Sequence, residues 1–144
     1  MKRKLSVILL TAALISALTG CGRNPAANAA IDLGTSSVYT EDERTAAVRL
    51  ILNEFRTWNG CELHSVSFAG DVECNEKNLA WLNELRAAND AEEPFTQCIL
   101  FLSDFHSPKN DRNSGFNDDF EYTDWQWWLA RSDGGKWKLI TWGY

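Results

Sequence analysis

Phe95-Thr96-Gln97-Cys98-Ile99-Leu100-Phe101-Leu102-Ser103-Asp104-Phe105 is the stretch that decides how this chain folds. Alternate residues of an extended strand point to opposite faces. Cys98, Leu100 and Leu102 therefore share one side, and Ile99, Phe101 and Phe105 the other. Both sides are apolar. A strand of this kind has to be covered on both faces and therefore belongs in the middle of a sheet.

Downstream, Trp125–Arg131 and Lys136–Tyr144 flank Asp133-Gly134, a pair suited to a tight hairpin turn. With a two-residue turn, Trp125, Trp127 and Leu129 oppose Trp142, Ile140 and Lys138 on one face. Gln126, Trp128 and Ala130 oppose Thr141, Leu139 and Trp137 on the other. A one-residue bulge at Gly135 would change these partners. Five of the seven tryptophans lie in the last 20 residues. Most are expected to be core, with Trp125 and Trp142 exposed near strand ends, where a flat indole with a polar N–H can receive a ligand.

Upstream, Thr40–Trp58 reads as a long helix. Thr40 and Glu43 match a capping box, and Glu41, Asp42 and Glu43 sit where the helix dipole favours negative charge. Ala47, Val48, Ile51, Leu52, Phe55 and Trp58 recur at helical spacing, and Asn59-Gly60 ends the run. Cys61–Phe68 reads as a strand, with Val72 and Cys74 continuing the sheet beyond a turn at 69–71. Asn75–Asn89 reads as a second amphipathic helix, with Leu79, Leu82 and Leu85 inward and Trp81 near the apolar side.

Between the central strand and the hairpin, residues 106–123 read as a long polar loop. Asp111-x-Asn113 invites comparison with a calcium-binding loop, but Phe116 and Tyr122 stand where the glycine and glutamate of an EF-hand belong. Asp118, Asp119 and Glu121 leave irregular calcium binding open, and Asp118 and Asp119 join Trp125 and Trp142 as candidate ligand contacts. Cys61-x-x-His64 does not make a zinc site on a strand, because residues three apart face opposite ways. Neither a metal nor a cofactor is expected. Three cysteines follow Cys21, an odd number, so they cannot all pair within the chain. A Cys61–Cys74 bridge and a buried Cys98 are the readings weighed.

The amino terminus is written differently. Lys2, Arg3 and Lys4 precede an almost wholly apolar run, Leu5–Leu18, and Leu18-Thr19-Gly20-Cys21 closes it. The run is short of the roughly 20 residues that cross a membrane, and the pattern is that of an export signal. Leu18-Thr19-Gly20-Cys21 resembles the lipobox of bacterial lipoproteins. The resemblance implies a diacylglyceryl group on the Cys21 thiol, cleavage before Cys21, and a location on the extracytoplasmic face of the cell membrane. Residues 1–20 are then a signal peptide, 21–39 a lipidated cysteine and flexible tether reaching about 25 Å, and 40–144 a single domain. Once residues 1–20 are removed, 11 Lys+Arg stand against 20 Asp+Glu, a net charge of −9. That acidity argues against nucleic acid and against electrostatic docking on anionic lipid.

The order helix, strand, helix, central strand and aromatic hairpin resembles the α+β roll of the nuclear transport factor 2-like and cystatin-like folds. This implies a long amino-terminal helix packed on a curved antiparallel sheet that ends in a Trp-rich hairpin. The ending Trp137-Lys138-Leu139-Ile140-Thr141-Trp142-Gly143-Tyr144, preceded by Trp125-Gln126-Trp127, resembles a group of small uncharacterised lipoproteins of Gram-positive bacteria over residues 40–144.

Three functions are consistent with these residues. The first is a membrane-anchored, non-catalytic domain that binds a ligand or an envelope protein. The second is a small pocket enzyme of the roll type, for which His64, Asp104, His106 and Tyr122 are the available acid–base groups. The third is a structural envelope protein that forms a homodimer through the two-sided hairpin. No nucleophile triad, nucleotide-binding glycine motif or metal-ligand cluster is visible, which favours binding over catalysis.

Overall fold

A computed structural model of the chain describes residues 24–87, 93–109 and 115–144; the export segment and Cys21 lie outside them. The fold is α+β. Strands β1 (Ala30–Asp32), β2 (Glu62–Phe68), β3 (Gln97–His106), β4 (Glu121–Arg131) and β5 (Lys138–Gly143) form one sheet in sequence order. Helix α1 (Glu41–Phe55) lies on one face and helix α2 (Glu76–Ala87) on the other.

β3 is the central strand, and its two faces divide as its alternation requires. Ile99, Phe101 and Phe105 enter one core with Ala47, Val48, Ile51 and Phe55 of α1, all nearly inaccessible. Cys98 and Leu100 enter a second core with Leu82 of α2, Phe95, Trp128 and Ala130. Because Trp127 and Leu129 of β4 are buried on the α1 side and Trp128 and Ala130 on the α2 side, the chain's own helices cover both faces of this part of the hairpin.

α1 is shorter than its sequence pattern suggests, at 15 residues. Its start follows expectation: the Thr40 side chain accepts from Glu43 N, and Thr40 N donates to the Glu43 carboxylate at 2.8 Å. Its end comes early because Thr57 N and Trp58 N donate to carbonyls three residues back, which tightens the last turn. Trp58 thereby leaves the helix and stacks on Trp127, with ring centroids 5.1 Å apart. Glu43 has a second role. Its carboxylate meets Arg131 Nη2 at 2.5 Å, and the Arg131 guanidinium lies over the Trp137 ring, so the helix start is clasped to the hairpin.

The described part of the expected tether is instead part of the fold. β1 pairs parallel with β2, so the sheet is not wholly antiparallel. Pro25 O accepts from Leu63 N at 2.8 Å, Ala26, Ala29 and Leu33 pack on the α1-side core, and Tyr39 is buried with its hydroxyl donating to Cys98 O. Asp71 takes hydrogen bonds from Ser36 Oγ, Ser37 N and Ser37 Oγ, bonds that hold its carboxyl below the usual range. Small polar residues read as a linker because their partners are far away in the sequence.

Other departures are local. Asp71–Glu73 is a short 3-10 turn, so Val72 and Cys74 do not continue the sheet. The polar loop is shorter than 106–123, because His106 ends β3 and Glu121-Tyr122-Thr123 begin β4. In the hairpin, Trp127 opposes Trp142 and Trp128 opposes Thr141, but Leu129 opposes Leu139, so Ile140 is an extra residue. Cys61 and Cys74 are not bridged, and Cys98 is buried as expected. Burial raises the Cys74 thiol to about 12 and the Cys98 thiol to about 11, which keeps both weakly nucleophilic.

Phe55 is fully buried, so its removal leaves a cavity. Phe55→Ala is accordingly expected to cost about 3–5 kcal/mol. Urea unfolding measures this. Deleting residues 24–32 is expected to lower the unfolding midpoint as well; an unchanged midpoint would mean the segment is a passive linker after all.

Candidate functional site

Two irregularities shape the end of the sheet where β3 finishes. Between β2 and β3 the pairing steps from Leu63–Phe105 to Ser65–Asp104, leaving His64 as an inserted residue. Between β3 and β4 it steps from Ser103–Trp125 to Phe105–Tyr122, which leaves one extra residue on β4. Asp124, within that extra length, has φ of 55°, and its N–H donates to Asp104 Oδ1 at 3.0 Å. Bulges re-aim side chains, and here they bring polar groups from β2, β3 and β4 together.

Glu121 is the hub. Its Oε1 meets His64 Nδ1 at 2.8 Å and its Oε2 meets His106 Nδ1 at 3.0 Å. The other nitrogen of His106, Nε2, meets Asp119 Oδ1 at 3.0 Å, and Asp119 Oδ2 meets Lys109 Nζ at 3.3 Å. A neutral imidazole has one N–H, so His106 can donate to both carboxylates only when protonated. Hydrogen bonding to Asp119, then to Glu121, accordingly raises the His106 pKa above its ordinary 6.5. The same contact with His106, reinforced by Lys109, lowers Asp119. All of these side chains are well exposed. Water therefore screens each pair, and the network contributes modestly to stability.

The opposite face at this end is aromatic. Phe105 and Tyr122 stack at 4.7 Å, and Trp58, Phe116 and Trp125 pack edge-on around them. Tyr144 lies over Tyr122 and Trp125, and Trp142 lies beside Trp58 and Trp127. The rim of this cluster faces water: Phe120 is 46% exposed, Trp142 40% and Tyr144 75%.

The structure sorts the sequence candidates in physical terms. Trp142 is exposed; Trp125 is half-buried, with its Nε1 buried and lacking an acceptor among the described residues. Asp118 is exposed, whereas Asp119 and Glu121, weighed for calcium, are engaged by His106, His64 and Lys109. Of the acid–base candidates, His64 and His106 converge on Glu121. Asp104 serves the bulge at Asp124, and Tyr122 lies on the other face, its hydroxyl accepting from Asn117 N. Cys21 lies outside the described residues. Sequence reasoning missed Glu121 as hub, and it missed Trp58 and Phe116 as supports of the exposed rings. It also missed Trp81 as an exposed tryptophan, 39% accessible on the α2 side. Two hollows of about 450 and 480 Å³ lie beside Asn24–Leu63 and beside Arg131–Trp137, and neither is lined by His64, Asp104, His106 or Tyr122. Among the described residues, no group of three His, Cys, Asp or Glu is arranged to hold a metal ion, and no helix is long and apolar enough to cross a membrane.

Comparison with known families, curated proteins and solved structures finds no match to this chain.

The His106–Asp119 pair sets a pH window. A raised histidine pKa contributes stability that is complete below 6.5 and is lost as pH rises through the folded-state value. A lowered carboxylate contributes stability that is complete above 3.8 and is lost as pH falls through its folded-state value. The pair is therefore strongest between those limits. NMR titration is expected to place His106 above 6.5, with Asp119→Asn moving it back down. A value at or below 6.5 in the native protein would show that the network does not persist in solution.

Proposed function

We propose that this chain is an exported lipoprotein, held on the extracytoplasmic face of a cell membrane by lipid on Cys21, whose domain acts by binding rather than by catalysis. The observation that carries the anchor is the sequence Lys2-Arg3-Lys4, Leu5–Leu18 and Leu18-Thr19-Gly20-Cys21. A diacyl anchor suits this role because two acyl chains hold where one binds only reversibly. Support for binding comes from the exposed rings of Phe120, Trp142 and Tyr144 beside the half-buried Trp125. Such rings offer large flat contact area at low entropic cost. The histidines and carboxylates on the other face of the sheet are open to water rather than set in an enclosed pocket. That supports a solvated pairing network more than an acid–base site.

We also propose that α1 and the β2–β5 meander form a roll of the nuclear transport factor 2-like or cystatin-like kind, with β1 and α2 as additions. One helix on one face of a four-stranded antiparallel meander supports that reading.

Intact mass of the full chain extracted from membranes of an exporting bacterium tests the anchor. The expected product begins at Cys21 and carries a diacylglyceryl mass, and Cys21→Ala abolishes both the cleavage and the lipid. Recovery of the unmodified chain with residues 1–20 still attached would refute the proposal.

A further inference from the structure

The amino-terminal end of the described residues and the exposed Phe120 ring belong to the same end of the sheet. Asn24 and Pro25 line a hollow with Asn59, Gly60 and Glu62, and Pro25 O takes the Leu63 N–H. A Cβ on Gly60 would stand 3.0 Å from Pro108, whose carbonyl accepts from Asp119 N. Phe120 follows, its ring 5.0 Å from Tyr122, and Tyr122 lies under Tyr144. β2 begins, β3 ends and β4 begins here, whereas β5 stops short of it, Gly143 opposing Gln126 and Trp142 opposing Trp127 midway along β4. The hairpin turn at 132–135 lies at the far end of β4, the whole length of that strand away.

Chain length sets how far this end can stray from the lipid. Only Gly22 and Arg23 stand between Cys21 and Asn24. Even at full extension such a link reaches only about 11 Å, by the fixed spacing of successive Cα atoms. Crossing from β2 to β4, whose Tyr122 carries the Phe120 ring, takes about 10 Å, by the usual spacing of paired strands. A domain packed from Pro25 onward thus keeps the start of β2, and the start of β4 near it, close to the lipid, unlike one carried on a long linker.

We propose that Phe120 and Tyr144 form a membrane-facing surface that sits in the headgroup region of the bilayer to which Cys21 is attached. The proposal rests on the lipid anchor and names the partner of the aromatic rim. Trp and Tyr favour the membrane–water interface because the ring is apolar and its N–H or O–H stays wet. Ring insertion needs no positive charge, so it is compatible with an acidic domain, and a zwitterionic lipid is the suitable probe.

The test uses Trp125, which touches Tyr122 and Tyr144, and Trp137, which lies under Arg131 at the hairpin end of the sheet. Full-length lipidated protein carrying 5-fluorotryptophan is placed in phosphatidylcholine nanodiscs containing a headgroup spin label. The two ¹⁹F signals are assigned from Trp125→Phe and Trp137→Phe. A relaxation enhancement several-fold larger at Trp125 than at Trp137 is expected. Equal or larger enhancement at Trp137, with lipid present on Cys21, overturns the orientation but leaves the anchor, and frees the rim for a protein partner or a second copy. An intact mass without lipid on Cys21 overturns both.

Discussion

β3 cannot be left wet on either side. Cys98, Leu100, Ile99, Phe101 and Phe105 are at most 5% exposed, and no single helix can cover both faces of one strand. The chain meets this by placing α1 before β2 and α2 between β2 and β3, so that successive crossings of the sheet deliver a helix to each face. The clasp of Glu43 and Arg131 follows from the same requirement. α1 must be held across the sheet at its start, and a charge pair supported by Trp137 and Gln97 does so beside the packed rings of Tyr39 and Trp137.

The end of the sheet beyond α2 is not under that constraint. There the α1-side face continues as aromatic rings packed on Trp58, while the other face has no described helix over it and carries His64, His106 and Glu121. The bulges at His64 and near Asp124 lie at this boundary. A regular pairing would have put Ser65 one place earlier against β3 and moved its successors to the opposite face. The insertion lets Leu63 and Val66 both face the α1-side core while His64 turns toward Glu121.

What could be read in the sequence was whatever a short window contains. The two faces of β3, the Thr40–Glu43 box and the inward leucines of α2 all follow from neighbours within a few positions. Contacts made at long separation stayed hidden. Ser36 and Ser37 look like linker residues until Asp71 is beside them, and a strand as short as β1 has too few positions to show alternation. The hairpin register failed by a related route: the sequence shows that Asp133-Gly134 turns, but not that the turn holds one more residue, which sets Lys138 against Ala130, nor that Ile140 is inserted; together these move Trp142 from Trp125 to Trp127. The histidine network depends on two bulges at once, and neither has a local signature in the residues around it.

Charge and aromatic surface pull against each other at this end, and the pairing network eases the conflict. The acidic body is repelled by anionic lipid over a Debye length, roughly 10 Å, whereas ring burial acts only on contact. Glu121 stands between Phe120 and Tyr122, and Asp119 precedes them, so bare carboxylates there would hold the rings away from a negative surface. Each is instead tied to a cationic or cation-forming partner: Asp119 to Lys109 and His106, Glu121 to His106 and His64. When His106 is protonated, much of the negative charge beside the exposed rings is compensated at hydrogen-bond distance. The acids of α1's first turn that lie outside the Arg131 clasp, Glu41 and Asp42, belong to the opposite end of that helix from Trp58. The network thus lowers the repulsion at the aromatic end without removing it, because Glu62, Asp118 and Asp124 stand exposed there as well.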